Sequence, residues 1–281
     1  MHASGLLVVA RSAKGLDPYA AIFDELAKLG YEGEIAKLGR VEALALEPSL
    51  SATAVTGGLH ARVDRHVRPE SLTAGLARHL GARAVEIRED VEVTGIAPGP
   101  RVLTSAGELP VDRIVLAAGL ASRTFFKRLG VRAPLVGAKG YSLTIAGAGP
   151  RPSHALYLAE AKVGISSYDG AVRIAGVFEL GRSDTVADRR RIAAMLTNVE
   201  PYFGDWRPSR ETPLLEWAGL RPSTSDGLPL IGPAPALPAV FLATGHGMLG
   251  VTLAPATAAL LAPLVLEGRS PPELEPFSPG R

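Results

Sequence analysis

From Gly227 to Leu266 the chain carries no Asp, Glu, Lys or Arg. The run is longer than the roughly 20 residues that span a bilayer. Pro229, Pro233, Pro235, Pro238, Pro255 and Pro263 interrupt it, together with Gly232, Gly245, Gly247 and Gly250. A continuous helix there would lose backbone hydrogen bonds at the prolines, and lipid offers no replacement partners. The stretch therefore reads as a buried strand over Val240–Thr244, a glycine loop, and a helix to about Leu266.

Composition narrows the function classes. With 47% hydrophobic and 21% charged residues, the 281-residue chain is neither disordered nor a coiled coil, and it is long enough for a sizeable core. Thirty basic against 28 acidic residues leave a net charge of +2, so the pI near 9.0 reflects a small imbalance and does not imply nucleic acid. The chain has no cysteine, which removes disulfides, thiolate metal sites, cysteine nucleophiles and a cysteinyl cofactor link. His, Asp and Glu do not cluster at ligand spacing, so no metal is expected. Leu6–Ala10 is too short for a secretory h-region and nothing positive precedes it, leaving the cytoplasm as the default compartment.

The elements are mixed α and β. Gly5–Ala10 reads as a strand and Asp17–Leu29 as a helix with Asp17 as N-cap, followed by a polar connection and an extended Gly57–Ala61. A helix is expected from Pro69 to about Leu80, then strands at Val85–Ile87, Val91–Ile96 and Arg101–Ser105. Arg113–Gly119 is a continuous apolar run ending in glycine, the pattern of a parallel strand buried on both faces. Four strand candidates follow closely at Tyr141–Ala146, Ala155–Leu158, Val163–Tyr168 and Val172–Glu179. Asp169-Gly170 is the hairpin signal between the last two, which predicts an antiparallel sheet. A helix over Val186–Val199 completes the middle.

Gly245-His246-Gly247-Met248-Leu249-Gly250 matches G-x-G-x-x-G between a predicted strand and a predicted helix. Three readings stay open. It is a turn for close helix–strand packing, a loop whose N–H groups face an electron-rich ligand, or a dinucleotide fingerprint. The last needs a further parallel strand, whereas only a Pro-rich tail from Ser270 follows. Arg221, between Leu220 and Pro222, is either a two-pronged carboxylate ligand or one half of a structural salt bridge.

These motifs resemble, in order and spacing, the FAD-dependent D-amino-acid dehydrogenase and glycine oxidase family. The resemblance rests on Trp217-Ala218-Gly219-Leu220-Arg221-Pro222, Asp226-Gly227-Leu228-Pro229-Leu230-Ile231-Gly232 and the loop Gly245–Gly250. Ile114–Gly119 and Lys139-Gly140-Tyr141-Ser142 add to it. It covers nearly the whole chain from Gly5. The family's opening strand, G-x-G-x-x-G turn and helix, which hold the ADP half of FAD, are not seen ahead of Gly5. The expectation is an N-terminally truncated member, with such a motif encoded upstream and with weak FAD binding by this chain alone.

The resemblance implies an α/β fold of mixed α+β character, an incomplete FAD-binding Rossmann-like layer interleaved with an antiparallel-sheet substrate domain. Residues 61–136 and 214–268 would form the FAD-binding portion, 1–60 and 137–213 the substrate domain, and 269–281 a tail. It implies oxidative deamination of a small amino acid by hydride transfer to non-covalently held FAD, with no catalytic side chain required. Arg221 would clamp the substrate carboxylate, and Tyr141, Tyr157 and Tyr168 are candidates for the cavity wall. Val93 (or Val91, by register), Ala118, Gly119, Gly219, Gly245, His246, Gly247, Met248, Leu249 and Gly250 would contact the cofactor. The alternative is a non-catalytic remnant or a subunit whose FAD site a partner chain completes. A homo-oligomer, and a peripheral or quinone link to the inner face of the membrane, are the further partner expectations.

Overall fold

The computed structural model describes residues 3–147, 151–168, 170–181, 183–204 and 214–281. They form two compact units, each assembled from separate stretches of chain. The first comprises Met1–Gly75, Gly140–Phe178 and Thr185–Gly219, and the second Leu76–Lys139, Glu179–Asp184 and Leu220–Arg281.

The strands in chain order are β1 (Leu6–Ala10), β2 (Ile35–Gly39), β3 (Gly57–Ala61), β4 (Val93–Ala97), β5 (Arg101–Thr104), β6 (Gly107–Pro110) and β7 (Ile114–Leu116). They continue with β8 (Leu135–Ala146), β9 (Ala155–Leu158), β10 (Val163–Tyr168), β11 (Ala171–Leu180), β12 (Leu214–Thr224), β13 (Leu230–Pro233) and β14 (Val240–Thr244). The helices are α1 (Asp17–Lys28), α2 (Arg40–Leu46), α3 (Pro69–Gly81), α4 (Phe126–Leu129), α5 (Arg189–Val199) and α6 (Gly250–Glu267).

One mixed sheet has eight strands in the order β12-β8-β11-β10-β9-β1-β3-β2. Strand β10 pairs antiparallel with both β9 and β11, as tight connections require, while β1 lies parallel to β9 and antiparallel to β3. Alternation supplies its core face. Leu7, Val9, Leu156, Leu158, Ile165, Val172 and Ile174 pack with Ile192, Met195 and Val199 of α5. Each such side chain contributes about 1.5–3 kcal/mol on burial. At the β10–β11 hairpin Tyr168 faces Ala171 and Gly170 takes φ +76°, while Asp169 lies outside the described residues.

In the second unit β14 lies parallel to β7 and antiparallel to β13, giving the order β13-β14-β7. A separate three-stranded antiparallel sheet has the order β4-β5-β6. Leu116, Leu129, Leu135, Leu230, Val240 and Leu242 make the core of this unit.

Several expectations need correction. Asp17 is the first helical residue of α1, with Leu16 as N-cap and no side-chain cap bond. The polar connection folds into β2 and α2. Helix α5 starts at Arg189, where the Asp188 side chain accepts the Arg190 N–H at 2.8 Å. Val85–Ile87 is not a strand, and Val85 and Ile87 are 47% and 49% exposed. Their apolar pattern has no neighbouring strand to pair with among the described residues. Nor is β7 covered on both faces. It is the edge of its sheet, and Val115 is 47% exposed.

The uncharged run forms β14, a loop and α6 as expected, preceded by β13, which was not expected; Pro255 and Pro263 lie inside α6 and do not interrupt it. Helix α6 is long and apolar enough to cross a membrane, a property it shares with core helices of soluble proteins. Yet only Thr257, Leu261 and Leu264 of α6 are buried.

Candidate functional site

Strands β7 and β14 run side by side in the same direction, so the loops leaving their carboxyl ends share one rim. In open α/β sheets that rim is where ligands bind. Thr244, the last residue of β14, ties the two loops together, its hydroxyl donating to the Gly119 carbonyl at 2.9 Å. Gly119 takes φ +55° there, and Ala117 and Ala118 just before it are exposed. Small residues at this bend leave the backbone open to close approach.

The loop Gly245–Gly250 follows Thr244. Gly245 takes φ +81°, and a Cβ on it would lie 3.0 Å from Thr224 Cγ2. Gly247 takes φ +55°. Both are conformations that side-chain-bearing residues adopt at a cost. Strand β12 holds the loop from one side, through an antiparallel bridge between Ser223 and His246 and a 2.9 Å bond from the Gly247 N–H to the Pro222 carbonyl. From the other side His246 Nε2 lies 3.0 Å from Thr257 Oγ1 on α6. Burial pushes the His246 pKa below its ordinary value, so the ring is neutral at pH 7.

Helix α6 begins at Gly250, directly after the loop. The N–H groups of its first turn have no intrahelical acceptors and carry the positive end of the helix dipole. Beside the loop, Ser223 Oγ is shielded from solvent with no hydrogen-bond partner among the described residues. It lies 3.8 Å from where a Cβ on Gly247 would sit. A cavity of about 550 Å³ runs along α6, lined by Val115, Ala117, Ala243, His246, Ala254 and Leu261 among others. A glycine cradle, an unsatisfied hydroxyl, a helix N-terminus and an apolar wall suit a flat, electron-rich ligand.

Arg221 lies on β12 two residues before Ser223, hence on the same strand face. It is half-buried, and burial pushes its guanidinium pKa down. That is the environment in which an anionic ligand is held most strongly.

The other expected site residues sit in different local environments. Tyr141 is 1% exposed and belongs to the first unit's core. Tyr157 packs edge-on against Tyr19 at 5.5 Å, and its pKa is raised to about 12, chiefly by burial. Tyr168 donates its hydroxyl to the Val67 carbonyl at 3.2 Å, with its ring against His66. Gly219 lies under Trp217, whose indole a Cβ would strike. Val93 opens β4 opposite Thr104 and is 42% exposed. Met248 and Leu249 are exposed at the loop's tip. Thr244, Thr257 and Ser223 were not anticipated. Each is one polar residue beside apolar sequence, a weak signal without the fold.

Such a rim, with its glycine loop and helix N-terminus, belongs to the class of proteins that bind cofactors at the ends of parallel strands. Comparison with known proteins is more specific. The profile of the FAD dependent oxidoreductase family matches residues 1–264. A D-amino acid dehydrogenase of Chromohalobacter salexigens is 35% identical over 249 residues, 83% of this chain and 57% of the relative. A glycine oxidase of Pseudomonas aeruginosa is 34% identical over 245 residues, 82% of this chain and 63% of the relative. The crystal structure of glycine oxidase from Geobacillus kaustophilus superposes with a TM-score of 0.87 at 24% identity, covering 100% of this chain and 75% of that one. That of L-proline dehydrogenase from P. horikoshii gives 0.87 at 17%, covering 100% and 76%. At these identities the two structures speak for the fold alone. The chain belongs to the family of FAD-dependent oxidoreductases, and it spans between about half and two thirds of the length of the curated relatives.

Proposed function

We propose that this chain supplies the substrate-binding and flavin-ring-binding parts of an oxidoreductase that deaminates a small amino acid. The observation that carries this reading is the fastening of β12 to the glycine loop. It sets Arg221 two residues from the strand position that bridges His246, at the mouth of a helix N-terminus. The names of the two curated relatives support an amino acid as substrate.

The residues fit the flavin part of FAD. The turn from Gly245 to Gly250 would lie against the ring edge, those of its N–H groups not bonded within the fold and the start of α6 stabilising negative charge there. Ser223 Oγ would gain the partner it lacks. When bound, the cofactor supplies the two-electron acceptor for a hydride from the substrate Cα, and the imino acid is hydrolysed to a 2-oxo acid and ammonia. Arg221 would hold the substrate carboxylate by parallel hydrogen bonds and so fix the direction of Cα. The apolar lining beside His246 would keep water from the ring.

A second reading rests on a different observation. The free edge of β7 and the uncovered face of α6 are apolar surface that a folded protein normally hides. They favour a subunit whose cofactor site is completed by additional polypeptide. Anaerobic titration with FAD, followed by a panel of small amino acids, separates the two readings. Bound flavin bleached by an amino acid supports the first. Bound flavin that no amino acid bleaches overturns it, and no binding at saturating FAD leaves the second.

A further inference from the structure

The clasp between the glycine loop and α6 has a geometry of its own. Thr257 stands roughly 10 Å along the helix axis from Gly250, and its Cβ leans back toward the N-terminus. His246 Nε2 reaches it at 3.0 Å, and Gly250 and Ala254 of the first two turns line the same cavity. Both are small. A Cβ on Gly250 would be 3.7 Å from His246 Cβ. His246 and Thr257 are the two polar side chains in a lining otherwise made of Val, Ala, Gly and Leu, and Thr257 is 8% exposed. With Thr257 buried, water competes poorly for its hydroxyl, so the bond is hard to replace once lost.

Resting on the reading above, we propose that Thr257 is a positioning residue for the cofactor site. Through its bond to His246 it sets how the loop, apart from the Gly247 and Leu249 N–H groups that donate to Pro222 and His246, presents its N–H groups to the flavin. The backbone contacts to β12 hold the loop at His246 and Gly247 from one side only. The imidazole, bonded to a rigid helix, holds it from the other. Thr257 touches neither substrate nor reacting atoms and acts through His246.

The test uses the full chain with Thr257→Val, which keeps the shape and removes the hydroxyl, and Thr257→Ser, which keeps the hydroxyl. FAD affinity is read by flavin fluorescence, and the ring-nitrogen chemical shifts of His246 are read by NMR without FAD. Thr257→Val should weaken FAD binding about 5- to 10-fold, the loss of one hydrogen bond that leaves its partner unpaired. It should also move the His246 ring shifts toward averaged tautomers. Thr257→Ser should stay within about twofold of wild type. FAD binding by Thr257→Val equal to wild type, unchanged ring shifts, or a Thr257→Ser as weak as Thr257→Val would each overturn the assignment. Wild-type chain that takes up no FAD overturns the functional reading and this assignment together. That outcome is distinct from failure of the assignment alone, in which wild type binds and the variants match it.

Discussion

Glu47 and His154 meet at one carboxylate oxygen. Glu47 Oε2 accepts the His154 N–H at 3.1 Å and lies 3.3 Å from its Nδ1, while Ser153 donates from N at 2.8 Å and from Oγ at 2.9 Å. The other oxygen accepts from Ser49 Oγ at 2.7 Å. The side chain is 1% exposed residue-wide, so this carboxylate fastens the end of α2 to the entry of β9 from within the fold. Removing it leaves several part-buried donors unpaired. Glu47→Ala should lower the unfolding free energy by about 3 kcal/mol, measured by urea denaturation. A loss under about 0.5 kcal/mol, the size of a neutral surface change, would mean that water satisfies these donors instead.

The same corner carries a pH dependence. Burial lowers the His60 pKa below its ordinary value. The Ser4 carbonyl opposes this, His154 and Arg62 add to it, and Glu34 opposes it. The unfolded chain therefore binds a proton more readily than the folded one, so stability rises with pH. The contribution is complete above about pH 6.5, the ordinary histidine value, and is lost as the pH falls through the folded value. The Tm should drop between about pH 7.5 and pH 5.5, and His60→Gln should flatten that drop. His246, also lowered by burial, adds a dependence of the same sign in the second unit. A Tm that is flat over this range would count against both.

Gly245 offers a sharper test of the loop. Alanine there must adopt φ +81° and bring its Cβ to 3.0 Å from Thr224 Cγ2 and 3.4 Å from the Leu230 nitrogen. The left-handed conformation alone costs about 1–2 kcal/mol, and the contacts add to it. Gly245→Ala should lower the Tm and weaken FAD binding together, read by thermal melts and flavin titration. Gly99→Ala serves as a comparison, because φ +74° there comes with no neighbour within 4 Å. It should cost stability alone.

How much of this was legible beforehand depended on whether a signal was local. Strands β10 and β11 carry alternation and a glycine turn, and β14 carries an unbroken apolar run, so each reads directly from its residues. Strand β2 does not. Ile35-Ala36-Lys37-Leu38 has no clean period of two, and only pairing with β3, such as Ala36 opposite His60, makes it a strand. Val85–Ile87 shows the converse, a strand-like sequence with no neighbour to pair with. The glycine loop and Arg221 were visible as motifs, but Thr257 was not. Its partner lies eleven residues away (an i, i+11 spacing), and a lone threonine in an apolar helix has no pattern. Tyr141 lies in the first unit's core, and an aromatic residue looks the same in a core as in a cavity wall until the sheet face is known.

Arg221 carries the last prediction, on flavin-loaded protein. If its guanidinium pairs with a substrate carboxylate away from water, Arg221→Ala leaves that carboxylate buried and unmatched. Removing one member of such a pair costs about 2–5 kcal/mol, or roughly 30- to several-thousand-fold in kcat/KM. Arg221→Lys should recover only part of this, because an ammonium cannot reproduce two parallel hydrogen bonds. Flavin occupancy should be the same in wild type and both variants, since the loop is fastened to β12 through the backbone of Pro222 and Ser223. Measuring kcat/KM and the flavin-to-protein absorbance ratio on the same preparations decides the matter. Unchanged kcat/KM at full occupancy would return Arg221 to a structural ion pair, and joint loss of flavin and activity would make it part of the fold's support for the loop.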